Sequence, residues 1–220
     1  MKKATLFFMA VVSAFIFAFA GCSGDSGFEP ERYVVDAGAV QRVVIDVSDR
    51  QLDIQQSQDD RVYIDYFDSE KEYIEIELSK DGQLSVKLAF DKDWTDFIGT
   101  KPSDRYRRIT VKLPGDMIAE LSASTTNEDI AVKSLSFKES VSLSSNGGNI
   151  VCERLGVEKG VDLKAKNGNI TGSIVGGWDD FSIACTIKKG DCNLPLFKDG
   201  GTKTFTADCN NGDIDIDFVQ

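Results

Sequence analysis

The sequence contains no histidine. That absence removes the commonest general base and the commonest metal ligand, so triad hydrolysis and most zinc chemistry lack their usual side chain. Nor is there a Cys-x-x-Cys spacing of the kind that builds a zinc site, or a nucleophile visibly paired to a base. Positive charge is short as well: 25 Lys and Arg stand against 36 Asp and Glu, a formal net charge of −11. A body this acidic is not drawn to nucleic acid or to an anionic membrane surface unaided. Helical periodicity is missing beyond the first thirty or so residues. With no cofactor motif either, the composition points away from turnover and toward a protein that works by contact.

What is present begins with a leader. Met1-Lys2-Lys3 is a basic head and Ala4 to Ala20 an uncharged run rich in Phe, Val and Ala, the shape of a secretory signal. The junction Phe19-Ala20-Gly21-Cys22 resembles the bacterial lipobox, and the polar residues that follow carry no stop-transfer cluster of Lys or Arg. The resemblance implies a signal peptide over 1–21, acylation of Cys22, and a lipidated flexible tether over 22–31. Two or three acyl chains, at roughly 0.8 kcal/mol per buried CH2, anchor stably where one does not. The expected location is the outer face of the bacterial cell membrane, or the outer membrane where there are two.

Beyond the tether, short alternating segments rich in Val, Ile and Phe predict an all-β chain. Five of them align: Leu121 to Ile130, Val141 to Ile150, Val161 to Ile170, Phe181 to Cys192, and Phe205 to Ile214. Their last residues are spaced by 20, 20, 22 and 22. Each unit alternates inward apolar residues, turns through Asn-Gly-Asn/Asp or its equivalent, and restarts at Ile or Cys. The next inward positions are Val132, Cys152, Leu194 and Ile216. In the turns, Gly is expected to supply positive φ. An antiparallel meander with two-residue hairpins fits this pattern, and so does a β-solenoid with one unit per coil. Near-constant spacing favours the solenoid, because stacked coils need equivalent residues above one another. Residues 32–108 read as irregular N-terminal coils, with Val43–Leu52 and Tyr73–Leu84 as degenerate members, Val62 to Tyr66 as an extra strand, and an insertion from Asp91 to Arg108. Residues 109–220 read as the regular array, a single-stranded β-helix-like stack of roughly 20-residue coils.

The run Ile109-Thr-Val-Lys-Leu-Pro-Gly, the Asn-Gly-Asn-Ile and Asn-Gly-Asp-Ile endings and the closing Asn210 to Phe218 resemble the DUF4097 family of bacterial β-strand-repeat domains, which carries an adhesin label. The likeness spans roughly 40–218. It implies a β-helix-like solenoid at the cell envelope and brings no catalytic residues.

Four cysteines lie in the repeats: Cys152, Cys185, Cys192 and Cys209. An even count in an exported protein suggests disulfides, yet all four occupy slots that are apolar in other units, which predicts buried thiols. Asp213, Asp215 and Asp217 alternate along the last strand, about 7 Å apart and in a line, unlike the converging oxygens calcium needs. They read as a solvated outer face, and Asp179-Asp180 as a polar turn. The binding candidates are Trp94, Phe97, Arg105, Tyr106, Arg107 and Arg108, which crowd into the one segment that breaks the period. Trp, Tyr and Arg are favoured in binding hot spots, and loops hold function more often than stacked strands. The same segment would also serve as a cap in which Trp94, Phe97 and Ile98 fold over the open side. The expected role is an envelope-anchored adhesin-like module for a protein or glycan partner, with no metal and no catalytic residue. The alternatives are a carbohydrate-active β-helix enzyme, needing two carboxylates about 5 to 9 Å apart, and a scaffold or sensor for another membrane protein.

Overall fold

The computed structural model describes residues 27–91 and 101–220. The leader, Cys22 and the first half of the tether, 22–26, lie outside the described residues, as do Trp94, Phe97 and Ile98, while residues 29–31, expected as tether, already belong to a strand. The described chain is all β, apart from three short 3-10 turns.

Two nine-stranded sheets face each other across one apolar interior. The chain crosses from one to the other at every Asn-Gly corner. In the regular part, β8 (Glu120–Thr125), β11 (Ser140–Ser145) and β13 (Gly160–Ala165) lie parallel in one sheet, and β9 (Ile130–Lys133), β12 (Ile150–Val157) and β14 (Ile170–Val175) in the other. Consecutive strands therefore belong to opposite walls and do not pair as hairpins, so the meander is excluded and the stack is solenoid-like. Val141 lies between Leu121 and Val161, and Ile150 between Ile130 and Ile170, so each inward residue stands on its equivalent in the neighbouring coil. These side chains are almost wholly buried, and burial stabilises by about 1.5–3 kcal/mol each.

The corners explain the repeat motif. Asp129 Oδ1 accepts from the Asn149 backbone N–H at 2.6 Å, Asn149 Oδ1 from Asn169 at 2.9 Å, Asn169 Oδ1 from Asp213 at 2.9 Å, and Asp213 Oδ1 from Asp191 at 2.8 Å. One carboxylate or amide per coil thus satisfies a turn N–H of the next, which strand pairing leaves without a partner. A second, shorter row joins Asn146, Asn167 and Asn211. The glycines are needed for proximity more than for φ. Gly190 and Gly212 supply positive φ as expected, at 123° and 151°, whereas Gly148 and Gly168 do not, yet a Cβ on any of the four would lie within 2.1–2.4 Å of a backbone atom of a neighbouring coil.

The ladder also corrects the stacking order. Its sequence in space is 129, 149, 169, 213, 191, so the last two units are exchanged. β17 (Lys203–Asn211) and β18 (Ile214–Val219) stack directly on β13 and β14, and β15 (Phe181–Lys189) lies outside β17. Cys192 then bridges to Ile214 from the far side.

The N-terminal part is interleaved with the rest. β2 (Arg42–Asp46) and β3 (Gln51–Gln56) form a fully regular coil paired to β8 and β9. On its other side, β3 pairs in parallel with β7 (Arg108–Leu113) and β2 with β6 (Gln83–Phe90). The segment expected as a coil over Tyr73–Leu84 is instead part of an antiparallel hairpin, β5 (Glu72–Leu78) with β6. β1 (Glu29–Asp36) and β4 (Arg61–Asp68) close the same end of the opposite sheet, antiparallel to each other and, through β4, to β7. Two two-residue strands complete the sheets, β10 (Ser136–Phe137) beside β12 and β16 (Phe197–Lys198) beside β15.

The four repeat cysteines carry free thiols. Cys152, Cys185 and Cys209 are buried as the slot alignment requires, while Cys192 is only half-buried because no coil stacks above it.

Candidate functional site

The stack has two unlike ends. At the base, next to β1, Phe28 stacks on Tyr106 at 5.2 Å, and Tyr106 meets Phe67 edge-on at 5.2 Å. At the tip, β18 and β16 are the last strands of the two sheets. Seven inter-strand steps separate β1 from β18, roughly 34 Å at about 4.8 Å per step.

Of the residues the sequence singled out, Arg105 to Arg108 are described, and they belong to the base. They form a 3-10 turn, Asp104–Arg107, that feeds β7. Tyr106 is half-buried between its aromatic neighbours, and the Arg105 guanidinium lies 5.6 Å from its ring centroid and 6.0 Å from that of Phe67. Arg107 is held from three sides: its guanidinium donates to Glu128, to Asp104 at 2.5 Å and to the Pro102 carbonyl at 2.8 Å. Its side chain is only 12% exposed, so Arg107 pins the loop to the corner after β8 and is not an open contact residue. Arg108 is exposed, 3.4 Å from both Asp53 and Gln51. It borders a shallow depression of about 270 Å³ shared with Thr110 and Lys133 on the outer face.

The base also holds most of the buried charge. Arg50 and Glu72 form a hydrogen-bonded ion pair between the sheets, 3% and 7% exposed. Nearby, burial pushes the Asp68 carboxyl up to about 6 and the Tyr66 phenol up to about 12. Asp49 is partly desolvated too, yet hydrogen bonds from Lys101 and Asn127 outweigh that and hold its carboxyl below the usual range. These groups serve as struts: Arg50 also donates to the Asp49 carbonyl at 3.3 Å, and the Ile74 N–H donates to Asp68 at 2.8 Å. The aspartates of the last strand are engaged as well. Asp213, Asp215 and Asp217 are all exposed, as expected; Asp213 is in addition a rung of the corner ladder, and Asp215 accepts from the Asn193 amide at 2.9 Å.

Large apolar side chains meet solvent at the tip and, among the described residues, also at Phe90 and Met117, which are 44% and 37% exposed. Among the described residues, Trp178, Leu196 and Phe197 are 44%, 66% and 72% exposed. Leu194 plugs the interior and Asn193 covers the edge of β18, so the chain from Asp191 to Lys198 runs across the end as a cap. Trp178, in the 3-10 turn Trp178–Asp180, packs edge-on against Phe218 at 5.6 Å, with the Lys198 ammonium 5.4 Å from its ring. Phe218 continues inward to Phe181 and Phe205, so the exposed indole is backed by a rigid aromatic cluster. The sequence did carry a sign of this patch: Leu194-Pro195-Leu196-Phe197 breaks the alternation that buries apolar residues elsewhere.

Comparison with known proteins bears on family and fold. The model of the Toastrack DUF4097 family matches residues 40–220, and the chain belongs to that family. A crystal structure from Clostridium sporogenes, described as a "putative cell adhesion protein", superposes with a TM-score of 0.62 at 15% identity, covering 87% of this chain and all of that one. A "putative adhesin" from Bacteroides fragilis aligns at 13% identity over 90% of this chain and all of that one, TM-score 0.33. Another, from Parabacteroides distasonis, aligns at 15% identity over 88% of this chain and 98% of that one, TM-score 0.31. No curated protein matches the chain.

Proposed function

We propose that this Toastrack protein is an exported, non-catalytic binding module, held to the outer face of a bacterial envelope membrane through acylated Cys22 and contacting its partner with the distal end of the stack. The observation that carries the reading is the exposure of Trp178, Leu196 and Phe197 at the end of the stack farthest from Phe28 and β1. Apolar patches of a few hundred Å² on an otherwise polar surface mark interaction sites. A Trp ring fixed by a neighbouring aromatic makes a low-entropy anchor. An anchor attached upstream of residue 27 would leave this end pointing away from the membrane. The apolar character of Leu196 and Phe197 favours a protein partner over a glycan, since neither side chain can hydrogen-bond a sugar hydroxyl. Of the loop residues expected from the sequence, Arg105 and Arg108 keep an outward role on the flank, whereas Tyr106 and Arg107 hold the loop in place.

The test is cross-linking of the membrane-anchored protein in intact cells, followed by mass spectrometry of what is bound. Leu196→Ser with Phe197→Ser is compared with Arg105→Ala with Arg108→Ala, each first shown by circular dichroism to be folded. Loss of the cross-linked partner in the tip variant alone supports the reading. Retention there, with loss in the arginine variant, moves the contact to the flank. Cys22→Ser should release the protein from the membrane fraction, and a native mature protein of unacylated mass would remove the anchor from the account.

A further inference from the structure

We propose that Cys185 and Cys192 form a disulfide-forming pair, a modification site that clips the two walls of the distal coil together when the folded protein meets a small-molecule or protein disulfide. Cys185 stands on Ala207 in the β15–β17 wall, and Cys192 on Ile214 in the opposite wall. Both occupy inward positions on facing walls of the same terminal coil, near enough that charge on Cys192 raises the Cys185 thiol. The other two cysteines are placed differently. Cys152 is fully buried in β12, with β14 and β18 between it and Cys192. The Cys209 thiol donates to the Gly168 and Gly212 carbonyls at 3.3 Å, which turns it into the corner.

The arrangement gives the two thiols separate parts. Cys192 is half-buried at the open end, and its sulfur touches only the Leu194 backbone, at 3.4 Å, among the hydrogen bonds of the cap. It is the sulfur an external disulfide can reach. Burial pushes the Cys185 thiol up to about 12, which suits it to the second step and not to the first attack. The thiolate of Cys192 attacks one sulfur of the external disulfide, and the first external thiol leaves. Cys185 then gives up its proton and displaces the second external thiol from the mixed disulfide. Two S–H bonds are lost and one S–S bond is formed, while the external disulfide is reduced to two thiols. Facing sheets stand about 10 Å apart, more than the roughly 4.4–6.8 Å between Cα atoms that a disulfide spans. The cap must therefore move inward. That closure works against the hydrogen bonds that hold Asp191 and Asn193 to Asp213, Ile214 and Ile216, while no strand stacks above Cys192 to oppose it.

The experiment treats the folded mature protein with excess oxidised glutathione, blocks remaining thiols with an alkylating agent under denaturant, and digests with trypsin without reduction. Lys188 and Lys189 separate the two cysteines, so their peptides stay together only through a disulfide. The expected product joins the Cys185 peptide to residues 190–198, with Cys152 and Cys209 alkylated. In Cys192→Ser, a change at a half-exposed position, that product and the associated loss of about 2 Da should both disappear. A Cys192–Cys209 link, glutathione retained as a stable mixed disulfide on Cys192, or four alkylated cysteines in the wild type would each overturn the proposal.

Discussion

Replacing Gly168 by alanine tests the stacked-corner geometry directly. A Cβ at this position lies 2.1 Å from the Gly148 carbonyl oxygen, 2.5 Å from its carbon and 3.0 Å from Asn149 N. All three are backbone atoms, so no side chain can swing away. Relief requires the two coils to part by more than about 1 Å at that corner, given normal carbon–oxygen contact near 3.3 Å. That displacement breaks the Asn149–Asn169 rung, now 2.9 Å, and strains the ladder on both sides. Overpacking commonly costs about 1–3 kcal/mol and a lost hydrogen bond about 1 kcal/mol, so Gly168→Ala should destabilise by about 2–4 kcal/mol. Gly177→Ala is the control: its φ is −75° and the nearest atom to an added Cβ is Asp180 Oδ2 at 3.5 Å. That change should stay within about 0.5 kcal/mol. Urea unfolding followed by circular dichroism reads both. A Gly168→Ala cost below about 1 kcal/mol, or equal costs at the two sites, would show that the corners are not in the close register described.

Two further outcomes follow from burial. Ile170→Asp places an unpaired charge between Ile150 and Ile214 in the middle of the stack and should cost several kcal/mol, whereas Thr171→Ser on the outer face of the same strand should be nearly silent in the same urea titration. Asp68→Asn should stabilise the protein at pH 7.5, because burial raises the carboxyl from 3.8 in the unfolded chain to about 6 in the folded one. The folded state then holds the proton more tightly, wild-type stability falls as pH rises from about 4 through 6, and the gain from Asn should vanish below about pH 4; a gain independent of pH would refute the assignment.

The repeat was legible because the ladder demands it. Each corner needs an Asn or Asp to accept from the next coil, a Gly for close approach and an inward Ile after it, so the mechanics write themselves into every unit. The order of the units was not legible, because a coil accepts any neighbour with the same corner, and Ile170 packs as well on Ile214 as on a residue 22 positions away. The unit around Lys189-Gly190-Asp191 differs from the others in carrying Cys192 in place of Ile, and it is the one placed at the end. In the N-terminal part, Tyr73-Ile-Glu-Ile-Glu-Leu78 alternates with period two whether it joins a coil or a hairpin. Asp81-Gly82, with Gly82 at φ 80°, was the local sign of the hairpin. Arg107 looked like a contact residue because arginine is common in hot spots, but its partner Glu128 lies 21 residues away and only the fold joins them.

An open β-stack must protect the edges at both of its ends, or it will recruit other chains, and comparing how it does so isolates what edge protection leaves unexplained. At the base, β5 presents exposed Glu75 and Glu77, and β1 carries exposed Glu29 and half-buried Glu31, charges that discourage pairing. At the tip, the Asn193 side chain imitates a peptide group, accepting from the Ile216 N–H at 3.1 Å and donating to the Ile216 carbonyl at 3.0 Å, so β18 is closed by a single residue. The other tip strand, β16, is only two residues long, and its Lys198 folds back to the Phe181 carbonyl at 2.9 Å. Shortness and a lysine are enough to blunt that edge. Neither purpose calls for Leu196 and Phe197 to stand mostly in solvent, where burying them or replacing them with polar residues would serve protection better. Their exposure costs solubility, and a contact at the tip, as proposed above, would account for it.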